Sequence, residues 1–152
     1  MNDCHLPSVK VLEELLDSLS HLNYGRALAI AEGDGLLTKD LLRFRFKAID
    51  CFDQCPEAVK KLEQLQERYA QIHRVDQATM QSYILEESYT CIFLRWCIGY
   101  LSGKELKTLL VKLSHKLWID PKLKTRASGP SSYIVVLDNV CPHGQTWGPF
   151  WG

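Results

Sequence analysis

Glu87-Ser88-Tyr89-Thr90-Cys91-Ile92-Phe93-Leu94-Arg95-Trp96-Cys97-Ile98-Gly99-Tyr100-Leu101 is apolar almost all the way round, yet too short and too punctuated to cross a bilayer. A helix that is hydrophobic on every face belongs in the middle of a bundle, wrapped by others. Read as a central helix, this stretch sets the expected architecture: an all-α helical bundle forming a single domain over residues 1–152.

Amphipathic stretches surround it. Ser8 is placed to cap a first helix carrying Val9, Leu12, Leu15, Leu16, Leu19 and Leu22 at helical spacing. Gly33-Asp34-Gly35 is a breaker, after which Thr38 caps an expected second helix through Leu41, Leu42, Phe46, Ile49 and Phe52. Pro56 opens a third, with Val59, Leu62, Leu65 and Tyr69 on one side and Lys60, Lys61, Glu63 and Glu67 on the other. A further helix is expected from Gln77 into Glu86-Glu87. Ser102-Gly103-Lys104-Glu105 has the spacing of a capping box, opening a helix with Leu106, Leu109, Leu110, Leu113 and Leu117. Lys122 to Ser132 reads as a loop around Gly129-Pro130. Tyr133-Ile134-Val135-Val136-Leu137 is rich in β-branched residues but has no evident strand partner, and is assigned to helix.

Composition narrows the function classes. Eighteen Lys and Arg balance 18 Asp and Glu, which argues against nucleic acid as a partner and leaves no charge barrier to a homodimer. No signal peptide and no membrane segment is read, and the cysteines Cys51, Cys55, Cys91 and Cys97 lie in helical patterns, so reduced thiols in the cytoplasm are expected. No phosphate-cradling glycine loop, nucleophile elbow or zinc-protease helix is read. Cys51 and Cys55 with Cys141 and His143 form a zinc candidate, set aside because cysteines on an apolar helix face are usually core. Cys91 or Cys97 with His73, His115 or His143 is a nucleophile–base candidate, set aside because an apolar helix suppresses the thiolate. The expectation is a protein that is not an enzyme and takes no cofactor or metal.

The central segment resembles the first homology motif of the Bcl-2 family of apoptosis regulators, which runs from Asn-Trp-Gly-Arg through an apolar stretch to Phe-Gly-Gly. Tyr89 and Gly99 hold the aromatic and glycine places, while Thr90 and Cys91 replace the motif's glycine and arginine. Trp147-Gly148-Pro149-Phe150 resembles the Trp-x-x-Phe end of the second motif, and Asp50 with Phe52 the end of the BH3 motif. The resemblance is to a virus-encoded member with degenerate motifs. It implies a Bcl-2-like bundle that inhibits apoptosis by sequestering the BH3 helices of host pro-apoptotic proteins in a hydrophobic groove. The implied groove is lined by Phe52, Val59, Leu62, Ile84, Ser88, Tyr89, Thr90, Cys91, Leu94, Arg95 and Ile98, with Arg95 as a stand-in for the motif's arginine. Recruitment to mitochondria through those partners would follow. The alternative is a helical interaction module, adaptor-binding or of death-effector type, that acts in host signalling without BH3 binding.

Overall fold

The computed structural model describes residues 5–122 and 131–138. Helices α3 (Pro56–Arg68) and α4 (Gly103–Ser114) stand close to where the apolar spacing puts them, while α1 (His5–Ser18) starts ahead of the expected Ser8 cap, whose hydroxyl donates to His5 O within the helix, and stops short of Leu19 and Leu22. Val9, Leu12 and Leu16 turn the buried face of α1 inward, and Val59, Leu62 and Leu65 do the same for α3 behind Pro56 in its first turn. The capping box at α4 is complete: Glu105 N–H donates to Ser102 Oγ at 3.2 Å, and Ser102 N–H to Glu105 Oε2 at 2.8 Å.

Between the helices lies a sheet, and this overturns the all-α expectation. Strands β1 (Arg26–Ile30), β2 (Ala48–Asp53), β3 (Ile72–Gln77), β4 (Cys91–Arg95) and β5 (Tyr133–Leu137) pair in the order β3-β2-β1-β4-β5. Every pairing is parallel. The heart of the supposed central helix is therefore β4. Its residues are apolar all round because a parallel strand covered on both faces presents a continuous hydrophobic run. Cys91 and Phe93 face one core cluster, and Ile92 and Leu94 the other.

The other expected helices fail for related reasons. The second splits: Thr38–Leu42 is a π-helical turn running into Arg43–Arg45 (together α2), and Ala48–Asp53 is β2, buried along its whole length. Gln77 closes β3, and the following residues up to Thr90 form turns and irregular chain rather than a helix. Tyr133–Leu137 finds the partner that it lacked in sequence, pairing with β4 from Cys91↔Tyr133 to Arg95↔Leu137. Most of the Lys122–Ser132 loop lies outside the described residues, as do Cys141, His143 and the Trp147–Phe150 motif.

The result is three layers. α1, α2 and α3 cover the face that carries Ala27, Ala29, Ile49, Cys51 and Phe93. α4 and the chain around Tyr83, Leu85 and Tyr89 cover the face that carries Leu28, Ile30, Phe52, Ile92 and Leu94. No helix among the described residues is long and apolar enough to cross a membrane. The order of strands reverses between β1 and β4: β2 and β3 follow on one side, β5 on the other. In open parallel sheets that reversal opens a crevice at the carboxyl ends of the strands, where ligands bind.

Candidate functional site

At that crevice the chain leaves β1 through Ala31-Glu32-Gly33-Asp34-Gly35, and alternate residues turn left-handed: φ is +50° at Ala31, +65° at Gly33 and +80° at Gly35. Each glycine has its own reason. At Gly35 a Cβ would sit 2.4 Å from Leu65 Cδ1 and 2.8 Å from Leu62 Cδ2, so α3 packs against the loop only because no side chain is there. At Gly33 a Cβ would meet nothing within 4 Å, so the backbone faces open space.

Hydrogen bonds tie the loop to β2 and α2. Glu32 N–H donates to Phe52 O at 3.2 Å, joining it to β2. Glu32 Oε1 accepts from Thr38 N–H at 2.9 Å, at the start of α2. Asp53, the last residue of β2, accepts from Gly33 N–H at 2.9 Å through Oδ2 and from Cys55 N–H at 2.8 Å through Oδ1. Burial of Glu32 pushes its carboxyl up to about 7, against the bond from Thr38 and the nearby charge of Arg95.

A cleft of ≈ 420 Å³ opens here, within the usual range for small-molecule sites. Ala31 at the tip of β1, Asp53 at the tip of β2 and Arg95 at the tip of β4 line it, together with Trp96, Met80 and Tyr100. Arg95 lies over the Trp96 ring, 4.6 Å from its centroid, and its Nη1 is 2.9 Å from His5 Nδ1 and 3.1 Å from Ser8 Oγ. A glycine-bearing turn after the first strand, opening toward a helix, with a carboxylate 20 residues beyond Gly33 at the end of the second, is the arrangement by which doubly wound folds hold a nucleoside.

The residues proposed from sequence as groove lining are dispersed. Phe52 and Arg95 line the cleft. Leu94 and Tyr89 share a core cluster with Phe52, whereas Leu62 packs on the opposite face of the sheet. Val59 is buried on α3, Ile84 is 68% exposed, and Ser88 faces solvent. Thr90 is buried with its hydroxyl donating to Arg26 O, and Ile98 N–H donates to Asp138 Oδ2 at 3.0 Å. Cys91 is buried in β4, and burial pushes its thiol, like that of Cys97, up to about 12, so neither is a thiolate nucleophile. No cluster fit to hold a metal ion exists among the described residues; Cys51 is buried in β2 and Cys55 is exposed.

Ala31, Glu32, Gly33, Gly35, Asp53 and His5 are not among the site residues expected from sequence, where Gly33-Asp34-Gly35 reads only as a breaker. A signal was present in Ala27-Leu28-Ala29-Ile30, a strand-length apolar run leading directly into Gly33-Asp34-Gly35, with Asp53 following 20 residues later.

Fold and cleft thus define the class: a doubly wound α/β domain with a nucleoside-type site at its switch point. The family model for AdoMet dependent proline di-methyltransferases matches residues 4–147, and the chain belongs to that family. It is 30% identical over 121 residues to N-terminal Xaa-Pro-Lys N-methyltransferase 1-B of Xenopus laevis, covering 78% of this chain and 49% of that one. Among solved structures it is similar to a SAM-dependent methyltransferase from Leishmania major, with a TM-score of 0.77 and 19% identity over 90% of this chain and 51% of that one. It is also similar to phosphoethanolamine N-methyltransferase 1 of Haemonchus contortus, with a TM-score of 0.64 and 21% identity over 81% of this chain and 24% of that one. The chain spans about half the length of the curated relative that it matches.

Membership in an enzyme family overturns the Bcl-2 resemblance and its consequences. Apoptosis inhibition, host BH3 proteins as partners, the adaptor or death-effector alternative and the expectation of a non-enzyme all fall with it. The likeness rested on an apolar run flanked by an aromatic and a glycine, which a buried strand supplies equally well.

Proposed function

We propose that this chain forms the AdoMet-binding part of an N-methyltransferase acting on the α-amino group of protein N-termini of the Xaa-Pro-Lys kind. The observation that carries the reading is the Gly33–Asp53 bond at the switch point, which joins the left-handed loop of β1 to the carboxylate ending β2. The substrate class rests on the name of the Xenopus laevis relative and on the proline di-methyltransferase family.

The residues present fit the cofactor. Each Asp53 oxygen accepts one backbone bond and keeps a second lone pair, enough to receive the two hydroxyls of a ribose. The open space over Gly33 admits a ligand close to the backbone. Acidic Asp53 and basic Arg95, both lining the cleft, suit a molecule carrying both a diol and an amino-acid carboxylate. When bound, AdoMet supplies an electrophilic methyl group for a nucleophilic amine. The chain's contribution is to hold and orient: the loop bonds fix Asp53, and Trp96, Met80 and Tyr100 line the cleft beside it.

Calorimetric titration with S-adenosylhomocysteine tests this. Saturable binding is expected, weakened by roughly 10- to 100-fold in Asp53→Ala, the loss typical of hydrogen bonds to a charged acceptor. No binding by the folded chain, or indifference to the substitution, would overturn the assignment. Methyl transfer to a peptide with an N-terminal Xaa-Pro-Lys sequence tests the substrate class.

A further inference from the structure

One contact ties the first helix to the cleft. His5, at the start of α1, is 6% exposed and stands between two charged side chains from distant parts of the chain. Its Nε2 is 2.8 Å from Asp40 Oδ2 on α2, and its Nδ1 is 2.9 Å from Arg95 Nη1 at the end of β4. An arginine only donates, so Nδ1 must accept, and the ring proton sits on Nε2, where it donates to Asp40. The geometry therefore selects one neutral tautomer: Arg95 N–H to Nδ1, and Nε2–H to Asp40. Ser8 Oγ, one helical turn along α1, accepts a second contact from the same Nη1 at 3.1 Å.

The hydrogen bonds made by Arg95 in this cluster all use Nη1, while a guanidinium carries five N–H donors in a planar fork. Anchoring one arm fixes the plane of the fork without using its other donors. Arg95 is the one cation among the described residues lining the cleft. β1 lies between β2 and β4, with Ile30 paired to Phe52 on one side and to Leu94 on the other. Asp53 and Arg95 therefore stand about two strand spacings apart at the backbone, about 10 Å, one on either side of the loop. A ligand held through its ribose at Asp53 extends its amino-acid end toward β4.

We propose that Arg95 is the specificity residue for the amino-acid carboxylate of the bound adenosyl ligand, and that His5 is its positioning residue, coupling the docking of α1 to ligand recognition. This rests on the AdoMet-binding reading above. Planar, bidentate pairing with carboxylates is what an oriented arginine does better than a mobile lysine.

The experiment compares two ligands on the full chain by calorimetry: S-adenosylhomocysteine, and 5′-deoxy-5′-methylthioadenosine, which lacks the amino-acid end. Arg95→Met is expected to weaken the first by about tenfold or more and leave the second within about twofold. His5→Ala should weaken the first by roughly fivefold, the loss of one ordinary hydrogen bond. His5→Gln, whose amide supplies both an acceptor and a donor, should recover most of that loss. Equal losses for both ligands, or no loss for either, would overturn the proposal by assigning the cluster a purely structural role. If His5→Ala does not fold, Arg95→Met and His5→Gln decide the matter. A wild-type chain that binds neither ligand refutes the AdoMet-binding reading, and this proposal with it; one that binds both without discrimination among the variants refutes this proposal alone.

Discussion

Asp50 and Asp53 lie three residues apart on β2 and do opposite things. Asp50 is fully buried in the middle of the strand, where its Oδ1 accepts from Arg26 Nη1 at 2.7 Å and its Oδ2 from the Tyr89 hydroxyl at 2.8 Å. Burial first, and then the neighbouring Asp50 carboxylate, push the Tyr89 hydroxyl far above its ordinary value, so it stays protonated and donating. These bonds link β1, β2 and the chain entering β4 beneath a closed apolar layer. Asp53 sits at the strand's carboxyl end, takes its bonds from backbone N–H groups of two loops, and faces the cleft. A carboxylate sealed among side chains serves the fold, whereas one at the strand tip keeps acceptor sites for a ligand.

Five substitutions put that contrast to the test. Asp50→Ala should have the largest effect, about 3–4 kcal/mol of lost stability in urea unfolding, because it strands Arg26 and the buried Tyr89 hydroxyl. The folded fraction should bind S-adenosylhomocysteine with unchanged affinity; a loss of affinity would make Asp50 part of the site.

Glu32 comes next, because it is a carboxyl that belongs to both worlds. Its folded value of about 7 lies above that of an exposed glutamate, so the fold favours the neutral acid. That contribution is fully present below about pH 4.5 and is lost as pH rises through about 7. Glu32→Gln, which keeps an acceptor for Thr38 N–H, should therefore match the wild type in acid and exceed it by about 2–3 kcal/mol at pH 8.5. A pH-independent difference in chemical denaturation would contradict the burial argument.

Gly35→Ala forces a Cβ against Leu62 and Leu65 at a left-handed φ, and about 2 kcal/mol of destabilisation is expected. Gly33→Ala meets no neighbour, so a loss as large there would show that backbone strain, not crowding, dominates the loop. The smallest effect is expected at Ala31, a non-glycine residue at φ +50°. Ala31→Gly should raise the thermal midpoint slightly, by the equivalent of about 1 kcal/mol or less.

Much of the helical layer was legible from the residues alone. Pro56 with Val59, Leu62 and Leu65 marked α3, and Ser102 with Glu105 marked the start of α4, because caps and amphipathic stripes are local physics. The strands were not legible in the same way. Cys91-Ile92-Phe93-Leu94 is apolar whether it is a helix in a bundle or a strand with both faces covered, and its periodicity does not separate the two. Val135 and its neighbours read as an orphan because their partner, β4, reads equally well as a helix. The site went unseen for the same reason: Gly33, Gly35 and Asp53 form a ligand loop only once Ala27–Ile30 and Ala48–Asp53 are adjacent parallel strands.

The residues alone mark where α3 and α4 begin and most of the buried faces of the three long helices, since capping and 3.6-residue spacing act within one or two turns; α1 begins at His5, ahead of the Ser8 expected to cap it. That the apolar runs between these helices are strands, and in what order those strands lie, follows only from long-range packing. Parallel pairing joins residues that are far apart in the chain, and no local pattern encodes it. That same pairing places Asp53 beside Gly33 and Arg95 beside His5, and so makes the site.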